Sequence, residues 1–537
     1  MVAREWTRLA DVRLLSPYFG AVSDVKTEIH PGRLLFGICV IAGTTYLSFA
    51  TLNYMLTPML ADLGLTSEQA GLALTVPSLA ALLIVFLAGR LGDKLGHRKI
   101  IMACALLFTV GAAVVTLAQG IGMLSVGLFL LGIGATAAEI VVIGLIAVRF
   151  TEPKARARAY ALFGIALPAV YLVFPVVAGW LSTYVSWRAN ALVWVIGGFV
   201  MFFSALLLLP SAKRQAPGEM WTPLLAGLFC VGIVQFIGHA ADYGVTSVPA
   251  LASIGTMLVA FVLCAVLYRR FPTPSLSLEP IKNGNITIVL TVILLVPTLN
   301  TFFFVMVALQ YMFGKSAFEA AVLMVPAQIA SIIGAGFISD RLTERVGVKR
   351  AGITLLLILA AVMTIPLTFS GTTPMWWVLV YACLFGGVVA GAEVVALNAL
   401  MSSAPDEEGG NSAAFEGSAE EIGIALGVVL MTALVFGLGT YSLQTRLEAS
   451  GLPSDEAAKV FEEIQANSDD PAAFSAYSYP LPDGQDANDV EREAFADGLK
   501  ANGVAGIVIC LLAAGLFAVH RPQEGDDVEA YEDADGA

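Results

Sequence analysis

Fourteen mostly apolar runs, each roughly 20 residues or longer, divide this chain almost from end to end. They lie at 34–60, 70–89, 99–118, 121–149, 159–182, 189–210, 222–241, 247–268, 286–311, 317–338, 351–370, 374–401, 413–438 and 501–519. No water-soluble core of ordinary domain size takes in that much apolar surface, so the solvent of the folded chain is lipid. Inside a bilayer every backbone N–H and C=O must find a partner within the protein, which leaves helices or a closed barrel. Barrel strands are about half this long and alternate in polarity. The runs therefore predict an all-α membrane protein of about 14 transmembrane helices.

Only 13% of residues are charged, about half the share in a soluble domain. The net charge of −13 is concentrated in two places: residues 441–500 carry −9 and residues 521–537 carry −6, leaving +2 for the rest. A chain so arranged offers nothing to a nucleic acid. The six cysteines all fall inside apolar runs, and the four histidines are scattered, so neither a disulfide framework nor a metal site is expected. No cofactor motif is present, and an enzyme is not expected. Residues 1–33 hold five bases but no short apolar core with a cleavage site, and read as a cytoplasmic lead-in.

Lys and Arg in the loops set the orientation. With the N-terminus inside, 23 of them fall on the cytoplasmic side and six outside, and an even number of spans returns the C-terminus to the cytoplasm. The acidic segment 440–500 then lies outside. Residues 454–465 start with a helix signal and space Ala458, Phe461 and Ile464 helically, and a second short helix is expected over 489–500. The segment reads as a solvated surface hairpin, with a lid over the outer mouth as the alternative.

The chain also repeats itself at a shift of about 250 residues. Thr51-Leu52-Asn53 recurs as Thr298-Leu299-Asn300, Gly89 and Asp93 as Gly336 and Asp340, and Ala138-Glu139-Ile140-Val141 as Ala392-Glu393-Val394-Val395. Each pair falls on the same span of its half. The repeat divides the chain into a lead-in (1–33), a six-helix half (34–210), an inserted two-helix linker (211–285), a second six-helix half (286–520) and an acidic tail (521–537). Parallel repeats of this kind place a site between the halves near the midplane.

The stretch Gly89-Arg90-Leu91-Gly92-Asp93-Lys94-Leu95-Gly96-His97-Arg98-Lys99 closely resembles the signature loop of the major facilitator superfamily, with a degenerate copy from Asp340 to Arg350. Ser186-Trp187-Arg188, residues 274–285, Leu309-Gln310 and Gly314-x-Ser316 resemble the fourteen-span drug:proton antiporters. The resemblance implies the major facilitator fold, two six-helix halves plus two inserted helices, in a bacterial plasma (inner) membrane. It also implies an inner gate, in which Asp93 with Arg98, among Gly89, Gly92, Gly96 and Asp340, holds the cytoplasmic side closed, with Arg156 as a partner. Pro175 and Gly179 match the family's antiporter motif in span five. The chain departs from the family at four places: Phe49 replaces the acid of span one, Leu128 the arginine of span four, Phe174 a glycine before Pro175, and Glu420-Glu421 an arginine-glutamine pair in span thirteen. A proton carrier therefore sits elsewhere or is absent.

A carboxylate within a span costs about 3 kcal/mol or more to insert and faces a cavity or a partner. Glu139 and Glu393, at equivalent sites, are thus the first candidates for proton coupling or substrate contact. The bland alternative is a protonated glutamate bonded to a neighbouring helix. Asn53 and Asn300 form a second symmetric pair, with packing hydrogen bonds as their alternative. Glu420 and Glu421 lie deeper than the start of span thirteen requires and are further candidates for proton entry. These residues point to a monomeric secondary transporter in contact with membrane lipid, a proton-coupled exporter of hydrophobic or amphipathic small molecules. An exporter or flippase of an envelope lipid or glycolipid is the second reading, and a non-transporting scaffold or sensor the third.

Overall fold

The computed structural model describes residues 31–65, 67–150, 153–210, 219–271, 276, 278–403, 409–467, 477–482 and 484–520. Span one is α1 (Pro31–Thr45) followed by α2 (Leu47–Leu63), and spans two to six are α3 (Ser67–Leu95), α4 (His97–Thr116), α5 (Ile121–Arg149), α6 (Pro153–Tyr184) and α7 (Trp187–Leu208). The inserted pair is α8 (Trp221–Tyr243) and α9 (Val248–Arg270). A single turn, α10 (Glu279–Lys282), leads to span nine, which is α11 (Gly284–Leu295), a 3-10 turn (Pro297–Leu299) and α12 (Thr301–Tyr311). Then come α13 (Ala317–Ile333), a π segment (Gly334–Ile338), α14 (Ser339–Val362), a 3-10 turn (Ile365–Thr368) and α15 (Met375–Ser403). Span thirteen is α16 (Gly409–Leu426), a π segment (Gly427–Met431) and α17 (Thr432–Ala449). The outer segment carries α18 (Ser454–Asn467) and leads into α19 (Ala487–Val519).

Among the described residues, 13 helical stretches are long and apolar enough to cross a bilayer. One of them, Phe318–Thr368, runs for 51 residues, about 75 Å if straight and more than twice the hydrocarbon thickness. Gly347 breaks it with φ 79° and ψ 160°, a conformation in which a Cβ would be strained. That stretch therefore supplies two crossings, and the expected fourteen are present. Gly96, in the first signature loop, has φ 92° and ψ 128°, so the two loops reverse the chain with the same device.

Two apolar cores follow the repeat. The first is built from spans one to eight, the second from spans nine to fourteen. Span thirteen is the exception: Ala414, Phe415 and Ala425 belong to the first core, Ala419 and Met431 to the second. The inserted pair packs on the outside of the first core, where Gly227 lets α8 approach α3 to within 2.6 Å of the Leu82 carbonyl at the point a Cβ would occupy. α9 buries only Ala250, Ser253 and Ala260, and its exposed Leu258, Val259, Phe261, Val262 and Leu263 face lipid.

At the outer face, Arg188 pairs with Asp62 and donates to the Ala118 carbonyl at 2.9 Å, while Trp187 Nε1 donates to Asp62 at 3.0 Å. The ends of spans one, three and six are thereby tied together. The acidic outer segment is more than a solvated hairpin. Leu443, Leu447, Ala457, Val460, Ile464, Leu481, Ala487, Val490 and Ala494 form a third, small apolar core. The short helix expected over 489–500 is not separate: α19 is one helix of 33 residues, about 50 Å long, because nothing between Lys500 and Gly503 breaks it. Arg446 and Lys500 both pair with Asp497, at 2.9 and 2.7 Å, which links α17 to α19.

Asp486 caps α19. Its side chain accepts from Asn488 N at 2.9 Å and from Ser478 Oγ at 2.5 Å. Burial opposes ionisation there, but these bonds outweigh it and hold the carboxyl below its ordinary range. A carboxylate with a lowered value stabilises the fold above the usual carboxylate range and loses that contribution as the pH falls through it. Asp486→Ala should destabilise the outer segment by about 1 kcal/mol at neutral pH, read as faster amide exchange in α18 and residues 477–482. The difference from the parent should close in acid; a difference that persists at low pH would mean the carboxylate is not the cause.

Candidate functional site

α5 and α15 are both 29 residues long, and Glu139 and Glu393 are each the nineteenth residue of their helix. Both therefore lie about 15 Å from the inner helix end, near the middle of the hydrocarbon layer. α16 rises from the same side, and Glu416, Glu420 and Glu421 are its eighth, twelfth and thirteenth residues. Five carboxylates from three helices thus stand in the middle part of the bilayer, spread over about one and a half helical turns in height. The spans contain no Lys or Arg away from their ends.

α16 reaches this place because small residues let it wedge between the two cores. A Cβ at Gly417 would lie 3.3 Å from Ile140 and 3.4 Å from Val85, and Phe415 meets Phe86 edge-on at 5.1 Å. On the other side a Cβ at Gly427 would lie 2.7 Å from the Thr298 carbonyl, and one at Gly423 3.1 Å from Leu294 C. Glu416 and Glu420, one turn apart, share a face. Glu139, Glu393, Glu416 and Glu421 all lie near enough to Glu420 to feel its charge. Tyr46 and Tyr171 lie within the same field.

Each acid has a different setting. The Tyr46 hydroxyl donates to Glu139 Oε1. Glu421 lies beside Ser78 of α3, while its buried Oε2 has no partner among the described protein atoms. Glu393 is exposed and the other four are half-buried, so water-sized space reaches them. Tyr46, Ser78 and Glu416 were not singled out from sequence. A tyrosine or serine in a span has ordinary packing uses, but an interior of five acids without a base is a signal that composition by span reveals.

Asn53 and Asn300 are both half-buried, yet their backbones differ. Asn53 lies within α2, whereas Asn300 has φ 45° and ψ 29°, the one non-glycine residue with positive φ among the described residues. Pro297 explains the difference, since it interrupts the hydrogen-bond ladder of span nine, and asparagine tolerates the left-handed turn that follows. Asn502 Nδ2 donates to the freed Leu299 carbonyl at 3.2 Å.

At the signature-loop end, a Cβ at Gly92 would sit 3.2 Å from Val141, so spans two and four touch there. Gly89 is half-buried, and Asp340 is exposed at the start of α14. Arg98 Nη2 donates to the Leu206 carbonyl at 2.6 Å, near the end of α7; this contact lies within the first half and not across a gate. The side chains of Asp93 and Arg156 lie outside the described residues. Pro175 and Gly179 are buried in α6. The departures from the family are filled by packing: Leu128 is fully buried, and Phe49 and Phe174 lie against the first core. Tyr184 of α6 meets Phe318 of α13 edge-on at 6.0 Å near the outer ends of their helices.

Known proteins share this plan. The chain is 24% identical over 446 residues to the multidrug efflux pump LfrA of Mycolicibacterium smegmatis, covering 82% of this chain and 86% of that one. It is 26% identical over 489 residues to the methyl viologen resistance protein SmvA of Salmonella typhimurium, covering 87% and 94%. The solved structure of the human organic anion transporter MFSD10 (TETRAN) superimposes with a TM-score of 0.55 at 13% identity, covering 91% of this chain and 100% of that one, a likeness of fold. A model of the Major Facilitator Superfamily matches residues 38–428, and the chain, an integral membrane protein of the transporter type, belongs to that family.

Proposed function

We propose that this protein is a proton-driven exporter of hydrophobic or amphipathic cations, with residues 34–210 and 286–520 as its moving halves and residues 211–285 as an inserted pair. One observation carries the reading: five carboxylates meet at mid-membrane depth with no base in the spans to neutralise them. Several ionised acids cannot share so small a region of low dielectric. The cluster is neutral enough to persist only when it holds protons or a cation, and competition between the two for the same carboxylates is the simplest form of antiport. The names of the relatives, efflux of drugs and resistance to methyl viologen, agree with a cationic cargo.

In this reading Glu139 and Glu393 are symmetric arms of the site, Glu420 joins them, and Glu421 with Ser78 lies on the proton route. Asn53 and Asn300 orient cargo, and the signature loop with Asp93 and Asp340 gates the inner side. The charge of the loops supports a cytoplasmic position for both termini in a bacterium, with α18 outside. The protein works as a monomer. In proteoliposomes an imposed proton gradient should drive ethidium uphill against the proton flow, and dissipating the gradient should abolish accumulation. Movement of a fluorescent lipid under the same gradient, without movement of ethidium, would replace this reading with the lipid-exporting one.

A further inference from the structure

Span one is jointed at Tyr46. α1 ends at Thr45 and α2 begins at Leu47; between them Tyr46 keeps a right-handed φ of −79° but opens ψ to −12°, away from the roughly −42° of a regular helix. Thr44 and Thr45 donate their hydroxyls back to the carbonyls of Val40 and Ala42, both at 2.7 Å, a pattern that bends helices. Beyond the joint, Ala50 N donates to the Tyr46 carbonyl at 2.9 Å and the ladder resumes. The Tyr46 hydroxyl leaves this joint for α5, where it donates to Glu139. The repeat has no second copy of this link. Ile293, in register with Tyr46, is buried in the second core, and Glu393 has no matching phenol.

We propose that Tyr46 is the positioning residue that transmits the proton load of Glu139 to the turn that joins the two helices of span one; this rests on the antiport reading above. While Glu139 is ionised, the phenol gives it a charge-assisted bond that holds the joint against α5. When a proton from the water-filled side converts the carboxylate to the acid, the same bond falls to neutral strength, and α2 is free to move relative to α1. Tyr46 keeps its own proton throughout, so the one proton gained by Glu139 is the one later released. The titratable groups whose fields reach this pair are Glu416, Glu420 and Glu421 from α16 and Tyr171 from α6. They set how readily the proton arrives, but none of them stands at the joint.

The test is Tyr46→Phe in the full chain, in proteoliposomes with ethidium as the probe. Losing a hydrogen bond to the charged form should move the midpoint of the pH profile of uphill transport to alkaline pH by about one unit. Uphill accumulation should fall about tenfold while downhill exchange stays within about twofold of the parent, a split that general damage does not produce. In parallel, spin labels at Ala61 and Leu117, both exposed near the outer ends of α2 and α4, should show a pH-dependent distance in the parent. That dependence should be absent in both Tyr46→Phe and Glu139→Gln, so the inference stays testable by the second variant if the first fails to fold. An unchanged midpoint and an unchanged distance response in a folded variant would overturn the role of Tyr46 alone. A parent that ignores the proton gradient would overturn the antiport reading, and this inference with it.

Discussion

Glu420→Gln should bring proton-driven accumulation to background while leaving the protein inserted and folded. Glutamine keeps the shape and the hydrogen-bonding capacity of a protonated glutamate but removes the exchangeable charge. Because the other four acids lie near enough to Glu420 to feel its charge, removing its proton site should disturb all of them, and this variant should lose the most. Glu139→Gln and Glu393→Gln should also lose uphill transport, yet each leaves the other arm within the electrostatic reach of Glu420. The expected order of residual activity is therefore Glu420→Gln lowest, then either single arm, with the parent highest. The measurement is the initial rate of ethidium uptake after a pH jump, at equal protein per vesicle. More than half of the parental rate in Glu420→Gln would remove span thirteen from coupling and return the role to the two symmetric glutamates alone.

Gly427→Val should be strongly damaging, because it strikes the contact between spans thirteen and nine. The new Cβ would stand 2.7 Å from the Thr298 carbonyl and 2.9 Å from its Cα. Both are backbone atoms of a span that is already broken by Pro297, so neither moves cheaply. Overpacking of this kind costs about 1–3 kcal/mol, which for a folding unit of this size lowers Tm by roughly 5–10 °C. Gly437→Val is the control: nothing lies within 4 Å of the position a Cβ would take there, and its Tm should stay within about 2 °C of the parent. Equal loss in both variants would show that valine harms span thirteen wherever it is placed, and that the contact with span nine is not the reason.

Much of this architecture was legible in the amino-acid sequence, because the physics behind it is local. Lipid demands long apolar helices, so the spans could be counted, and Gly347 supplied the break between two runs that a helix assignment joins. The repeat was legible because a carboxylate in a span is costly, so Glu139 and Glu393 stood out and proved to occupy the same position in helices of equal length. What stayed hidden depends on which helices meet. Glu420 lies near Glu139 and Glu393 only because α16 is wedged between both cores, a fact carried by glycines whose contacts no periodicity reveals. Tyr46 was invisible for the opposite reason, since a tyrosine in a span is unremarkable until its hydroxyl is seen to reach Glu139. Arg98 of the signature loop also donates to the Leu206 carbonyl near the end of α7, a contact that its motif did not reveal.

The outer core on α17, α18 and α19 has a mechanical consequence. Two long helices of the second half run unbroken out of the membrane and are joined at their tips by packed side chains and by Arg446, Lys500 and Asp497. They form a mast, rooted in the second half at one end and standing clear of the membrane at the other. A small tilt of the second half against the first sweeps the top of the mast through a larger arc than any residue inside the bilayer travels. A binding protein selected against that tip, or a pair of dyes between it and the outer end of α2, would register each turnover of the transporter without touching the pathway itself.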